Sequence, residues 1–308
     1  MNENASREGS HVQEDVVRVG VVQLTSNDEV ERNLDAVERT VRGAARDGAR
    51  TIVVPECFSF LGPEEGKLAI AESLPEGGPI LARMAALAKA HDVELVLGGF
   101  WERGPDPDPS AADPADSTDP SSRGQPPTHV FNACVQLAAD GTVGAVYRKI
   151  HLFDVDLADG TTLRESDTVS PGDAVVVADT RLGKLGLSVC YDLRFPELYR
   201  ALVDRGAIAL TVPAAFTLHT GKDHWEILLR ARAIEQQCYV LAAAQTGHHR
   251  QADGSGRRFS WGHAMIVDPW GAVLAQCGEG EGWCVASVDP RYVERVRASL
   301  PSLRHRRL

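Results

Sequence analysis

Three residues of different chemistry close three apolar runs in this chain. Glu56 follows "TIVVP", Lys149 ends "GAVYRK" and Cys190 ends "LGLSVC". A thiol attacks only once a base takes its proton, and a carboxylate can do that and later pass the proton to a leaving amine. A lysine facing the same point would stabilise the oxyanion formed when a carbonyl or nitrile carbon is attacked. Base, cation and nucleophile together fit acyl transfer with cleavage of a carbon–nitrogen bond. Singly, each has a plainer reading: free cysteine is often a small buried hydrophobe, and a charged strand-end residue is often only solvated. Position favours Cys190, because ligands bind where strands of α/β folds end. The helix start at Pro196-Glu197, a short distance on, also favours a thiolate. His151, His219, His224 and His263 keep a Cys–His pair open as the alternative.

The elements that would carry these residues follow from periodicity. "VVRVGVVQL" (16–24) is a β-branched run, and the next segment places Leu34, Val37, Val41, Ala44 and Ala45 at helical spacing. "TIVVPE" (51–56) is a strand, "PILARMAALAKAHD" (79–92) a helix and "VELVLGGF" a strand. Strands alternating with helices indicate sheets covered by helices. "FNACVQLAADGTVGAVYRKIHLFD" then reads as a hairpin around Asp140-Gly141, and "GHAMIVDPWGAVLAQC" as another turning at "DPWG", so the sheets are mixed. Between them come "LGLSVC", the helix from Pro196, "AIALTVP", the helix "HWEILLRARAIEQQ" and the strand "YVLAAAQ". No compositional boundary divides residues 16–308, which read as one domain.

Two segments stand outside that alternation. Residues 1–15, "MNENASREGSHVQED", have no apolar core region and read as a disordered tail rather than a signal peptide. Residues 104–127 contain seven prolines and five aspartates and no Val, Ile, Leu or aromatic residue. Such a stretch buries too little to offset the entropy of ordering and reads as a disordered insertion.

The net charge of −11 argues against a nucleic-acid surface, which needs clustered Lys and Arg. No run approaches the ~18 apolar residues of a membrane span. The six cysteines are scattered without a CxxC pair, which fits a reducing cytoplasm better than a disulfide framework or a zinc site. "GHHR" (247–250) has no further ligand at metal spacing and reads as a surface loop. No metal and no organic cofactor is expected, since no phosphate-binding glycine motif is present either.

"VVPECF", "YRKIHLFD" and "GLSVCYDLRFPELYR", in that order, resemble the three signature segments of the nitrilase superfamily of carbon–nitrogen hydrolases. "DHWEILLRARAIE" and "GHAMIVDPWG" extend the likeness over nearly all of residues 16–308. The resemblance implies an α/β fold, the α-β-β-α sandwich with mixed sheets, with Glu56 as general base, Lys149 as oxyanion cation and Cys190 as nucleophile. It also implies a second glutamate that orients the lysine. "LRESDTVSPGD" puts Glu165 there, although Asp154 and Asp156 lie nearer in sequence. "HWEILLRARAIEQQCYVLAAAQTG" and "LPSLRHRR" look most like the branch holding the deaminated glutathione amidases and omega-amidases. That likeness implies hydrolysis of a terminal amide of a small keto-acid amide, through a Cys thioester. A substrate such as 2-oxoglutaramate, an N-carbamoyl amino acid, an aliphatic amide or a nitrile, and a non-catalytic scaffold, are the other readings.

Arg194 and Tyr191, just past the nucleophile, are the substrate-binding candidates; the guanidinium fork of Arg194 suits a carboxylate. Its plainer role is a structural salt bridge. Cys57 departs from the family pattern, which more usually has Ala or Asn after the base. The resemblance further implies a homodimer or higher homo-oligomer, with "FPELYRALVDRG" contributing.

Overall fold

A computed structural model describes residues 16–104, 129–156, 162–256 and 258–307. The expected tail (1–15) and all of the expected insertion except Gly104 lie outside the described residues.

The strand Val17–Leu24 is the spine of the larger sheet. It pairs in parallel with Thr51–Val54 and antiparallel along its length with Gly282–Val288. Glu94–Arg103 follows in parallel, and then Val130–Leu137 and Val143–Arg148 pair antiparallel. The smaller sheet runs Val273–Gln276, Met265–Val267, Tyr239–Ala242, Ala209–Thr211, Gly183–Gly186 and Val177–Thr180, again with both pair types.

Why the sheets stack is visible in the alternation of side chains, since successive residues of a strand face opposite ways. Val19, Val21, Val53 and Val96 enter one apolar cluster with Leu185, Leu210 and Val240 of the other sheet. Their neighbours Val22, Ile52, Leu95 and Leu97 face the other way, against Leu34, Val37, Val41 and Met84 of the helices Val30–Arg46 and Pro79–His91. The helices Pro196–Asp204 and Leu218–Gln236 contribute Leu198, Leu202, Trp225 and Leu229 to the cluster that holds the smaller sheet. The layers are helix, sheet, sheet, helix, as the family resemblance implies.

Three details differ from the sequence reading. The expected strand 185–190 ends at Gly186, and Cys190 opens a five-residue 3-10 turn, Cys190–Arg194. Asp192 accepts the N–H of Val189, so a side chain replaces the ladder there. "YVLAAAQ" is two strands: Tyr239–Ala242 lies in the smaller sheet and Ala244–His248 in the larger, so the chain changes sheets at buried Ala243. "GHHR" is not a surface loop throughout. His249 is fully buried, with Nδ1 bonded to the Ser26 carbonyl (2.7 Å) and Nε2 to Ser260 Oγ (2.8 Å). Burial holds its pKa down, to about 4.

Both hairpin turns are as expected. Asp140 caps the N–H of Thr142 and Gly141 takes φ +89°, while Asp268 accepts the N–H groups of Trp270 and Ala272.

Residues 105–128 join the antiparallel partners Glu94–Arg103 and Val130–Leu137, whose last register pair is Arg103 with Val130. A Cβ on Gly104 would stand 2.5 Å from the His129 carbonyl oxygen, so the two ends of the segment are neighbours. Replacing residues 106–125 by a short linker is therefore expected to keep the melting temperature within a few degrees, because shortening a connection between neighbouring ends changes closure entropy little. Thermal melts of the two chains test this, and loss of soluble expression would refute it.

Candidate active site

Glu56 lies two residues past the strand Thr51–Val54, and the turn that holds it is tight. Cys57, next in line, has φ +58°, in the left-handed region. The neighbouring strand passes close enough that only glycine fits: a Cβ on Gly99 would come within 2.3 Å of the Cys57 nitrogen and 2.8 Å of Glu56 Cγ. Lys149 directly follows the strand Val143–Arg148, and its N–H continues the ladder to the Asn132 carbonyl (2.9 Å). Cys190 has φ +49°, strained for a residue with a Cβ, and its N–H donates to the Pro213 carbonyl.

That strained turn is held by Asp192. Its carboxylate is fully buried and accepts from the N–H of Val189 (2.8 Å), the N–H of His151 (3.1 Å) and the Tyr147 hydroxyl (2.7 Å). His151 Nδ1 is hydrogen-bonded to it as well, at 2.7 Å, and the His151 ring stacks on Phe195. Tyr147 and Lys149 belong to one strand end, so Asp192 ties the thiol's turn to the lysine.

The charged side chains meet around Lys149. Its Nζ lies 2.7 Å from Glu165 Oε2 and 3.2 Å from Glu56 Oε1, with Lys149 2% exposed. Asn132 Nδ2 donates to Glu56 Oε1 (3.0 Å) and to Glu165 Oε1 (2.9 Å), linking the two carboxylates. The Ala215 N–H donates to Glu56 Oε2 (3.0 Å) and the Phe153 N–H to Glu165 Oε2 (2.7 Å). Cys190 and Glu56 line the same pocket, close enough for each to shift the other's titration. Asp154 and Asp156 lie elsewhere: Asp154 accepts the Ser166 N–H, and Asp156 pairs with Arg164.

This environment sets the charges. Burial alone would raise the Glu56 carboxyl. The Lys149 ammonium, the Cys190 thiol, Arg258 and Asn132 outweigh that and hold it below its ordinary range. Burial alone would lower Lys149, but Glu165 and Glu56 drive it well above its ordinary value. For Cys190, burial and then the Glu56 anion raise the thiol well above its ordinary value, against the pull of Lys149. These directions favour a neutral thiol beside an ionised carboxylate, and the helix that starts at Pro196 lies beyond the 3-10 turn.

None of the four candidate histidines is among the partners of the thiol. His151 belongs to Asp192, His224 Nδ1 faces Arg194, and His263 bonds the Trp261 carbonyl. Among the described residues no cluster of three or more metal-ligating side chains occurs.

Glu56, Lys149, Glu165, Cys190, Tyr191 and Arg194 all line one pocket, with aromatic walls from Phe60, Trp101, Phe153 and Phe216. Arg194 makes no structural salt bridge among the described residues. Its guanidinium lies over the Phe216 and Tyr191 rings, 5.4 and 5.9 Å from their centroids. Sequence reasoning missed Asn132, Asp192 and Arg258. Asn132 left a trace, as a polar residue early in the largely apolar strand "VFNACVQL".

Comparison with known proteins agrees with this geometry. The carbon–nitrogen hydrolase family profile matches residues 18–298. The deaminated glutathione amidases of Bos taurus and Homo sapiens are each 42% identical to the chain, covering 94% of it and 81% and 82% of themselves. That of Synechocystis is also 42% identical, over 92% of this chain and 96% of its own. Among solved structures, the Caenorhabditis elegans NitFhit protein is 39% identical with a TM-score of 0.80; the match covers 95% of this chain and 65% of that longer one. Saccharomyces cerevisiae Nit3, a member of branch 10 of the nitrilase superfamily, is 28% identical with a TM-score of 0.74, over 96% and 97% of the two chains. With its signature residues gathered in one pocket and a profile match from residue 18 to residue 298, this chain belongs to the carbon–nitrogen hydrolase family.

Proposed function

We propose that the chain is an amidase that hydrolyses the terminal amide of a small keto-acid amide of the deaminated-glutathione kind. The observation that carries this reading is the meeting of Cys190, Glu56, Lys149 and Glu165 in one pocket, the thiol beside the carboxylate that would take its proton. The names of the relatives support the substrate class.

In the first half-reaction Cys190 Sγ bonds to the amide carbon while its proton passes to Glu56. Two donors of the Lys149 ammonium are engaged by Glu56 and Glu165, and the third is left for the developing oxyanion. The C–N bond then breaks as Glu56 returns the proton to the departing amine, leaving a thioester. Water attacks the thioester in the second half, giving its proton to Glu56, and the thiolate departs and is reprotonated. The sum is amide plus water to acid plus amine. Glu165 orients Lys149, and Asn132 holds both carboxylates in place. Arg194 pairs with the keto-acid carboxylate, and Tyr191 lines the same wall.

The enzyme is cytoplasmic and a homodimer or larger. The six cysteines, all free thiols, support the first statement. Ile227 and Ile234, seven apart on the helix Leu218–Gln236 and 68% and 50% exposed, support the second, beside the Pro196–Asp204 helix.

Omega-amidase action on 2-oxoglutaramate is the second reading, favoured by the same site chemistry. Product release from deaminated glutathione, 2-oxoglutaramate, a nitrile and an N-carbamoyl amino acid tests the assignment. Turnover confined to the last two would sink it.

Substitutions test the roles. Cys190→Ala is expected to abolish turnover and leave the thermal melt in place. Glu56→Gln should lower kcat by ~10²–10⁴-fold, the usual worth of a positioned base. Lys149→Met should cost ~10²–10³-fold, as for one oxyanion donor. Because the groups act together, the double variant should lose far less than the product of the two factors. Simple additivity, or a Lys149 variant with near-normal kcat, would break the assigned mechanism.

The pH profile is a separate check. Activity needs Glu56 ionised and Cys190 protonated. The first is held below its ordinary value of 4.5 and the second well above its ordinary 9.0. Protonating Glu56 on the acid side removes the base, so kcat/KM should fall only below the ordinary carboxylate range. It should stay level through neutral pH, and an alkaline limb near pH ~7 would instead indicate a thiolate–imidazolium pair.

A further inference from the structure

Cys277 and Cys284 flank the segment "GEGEGW" and belong to different sheets. Cys277 directly follows the edge strand Val273–Gln276 of the smaller sheet, whereas Cys284 lies within Gly282–Val288 of the larger one, opposite Val21. Along that strand Cys284, Ala286 and Val288 enter the apolar layer between the sheets, as Cys277 does, while Val285 faces the outer helices. The backbone brings both cysteines to one atom. The Ala264 carbonyl oxygen accepts the Cys277 N–H at 2.8 Å and lies 3.8 Å from Cys284 Sγ.

Gln23 holds this arrangement in place. Fully buried in the strand Val17–Leu24, it donates from Nε2 to the carbonyls of Gly278 (2.7 Å) and Gly280 (2.6 Å), and its Oε1 accepts the Ala264 N–H (2.9 Å). Cys277 is buried and Cys284 half-buried, but the segment between them is open on its outer side. A Cβ at Gly278, Gly280 or Gly282 would meet no atom within 4 Å. The other four cysteines sit differently. Burial pushes the thiols of Cys57, Cys134 and Cys238 up to about 12, and Cys190 lies with Glu56 and Lys149 in the pocket. The Cys277 thiol is instead held below its ordinary value of 9.0 by Cys284, which is pushed up in return. A lowered thiol has more thiolate, the form that attacks disulfides.

We infer that Cys277 and Cys284 form a reversible disulfide that staples the two sheets together when the surroundings become oxidising. The oxidant is a low-molecular-weight disulfide. Cys277 Sγ bonds to one of its sulfurs as the other departs, and Cys284 Sγ then bonds to Cys277 Sγ and expels the second. Each cysteine proton leaves with one departing thiol, so the oxidant is reduced to two thiols as the protein gains one disulfide. An excess of small thiols runs the exchange backwards and keeps the pair open in a reducing compartment. Neither cysteine lines the catalytic pocket, so the staple stands apart from the amidase reading.

The test incubates the folded native chain with glutathione disulfide, blocks the remaining thiols and cuts the chain after glutamate. Cleavage at Glu279 and Glu281 separates the two cysteines, so a bridge is read by mass as two peptides held together until a reductant is added. The linked pair is expected from the native chain. In Cys284→Ser the reaction should stop at a mixed disulfide between Cys277 and glutathione. Closing so short a loop still constrains the unfolded chain, so oxidation should raise the native melting temperature by about 5 °C. Dithiothreitol should reverse the rise, and Cys284→Ser should not show it. The peptide map needs no variant, so misfolding of Cys284→Ser would leave that arm intact. Absence of the linked pair from the folded chain, when the denatured chain forms it, would overturn the staple. So would a link through any other cysteine, or a bridge that fails to raise the melt.

Discussion

The buried ammonium of Lys149 is the interaction on which the rest of the site depends. Two carboxylates and an ammonium removed from water each carry a desolvation penalty of several kcal/mol, repaid only where geometry and hydrogen bonding are good. Glu56 accepts from Asn132, Lys149 and the Ala215 N–H, and Glu165 accepts from Asn132, Lys149 and the Phe153 N–H. Removing the ammonium would leave two anions facing each other across one carboxamide. Protonating one of them would be the cheapest escape.

The scaffold meets the geometric demand by bringing rigid strand ends together and bending the chain sharply where they meet. Thr51–Val54 and Val143–Arg148 deliver Glu56 and Lys149, and Cys57 and Cys190 both adopt left-handed backbone next to them. Such conformations persist only where surroundings over-determine them. Here the determinants are visible: Gly99 yields space to the Glu56 turn, and Asp192 gathers the Cys190 turn, His151 and Tyr147 into one buried network. Aspartate is suited to that task because a carboxylate accepts several bonds at once.

Much of this was legible in the sequence, for reasons that differ by residue. Glu56, Lys149 and Cys190 stood out because each interrupts an apolar run with a reactive group. The layers were legible because helical and strand periods alternate cleanly. Glu165 was reachable only through family resemblance, since a short 3-10 turn has no periodicity to betray it. Asn132 reads as one polar residue in a strand, and nothing in the chain order says that its amide links residues 56 and 165. The strand before Cys190 was overextended because an apolar run does not reveal that Asp192 ends its ladder. The sheet change at Ala243 was hidden for a related reason: a buried strand looks alike in either sheet.

The charge distribution poses a last problem. A chain of net charge −11 should repel an acidic substrate at long range. Screening limits that repulsion to about 8 Å at physiological salt, so the field near the mouth decides the encounter. Inside, the cluster of two glutamates and one lysine carries an excess negative charge, which is unfavourable for a substrate that is itself anionic. Two guanidiniums that have no carboxylate partner among the described residues, Arg194 and Arg258, bring positive charge to the same pocket. The pocket thus holds an anion and unpaired cations around one residue, Ala215, whose N–H donates to Glu56 and whose carbonyl accepts from Arg258.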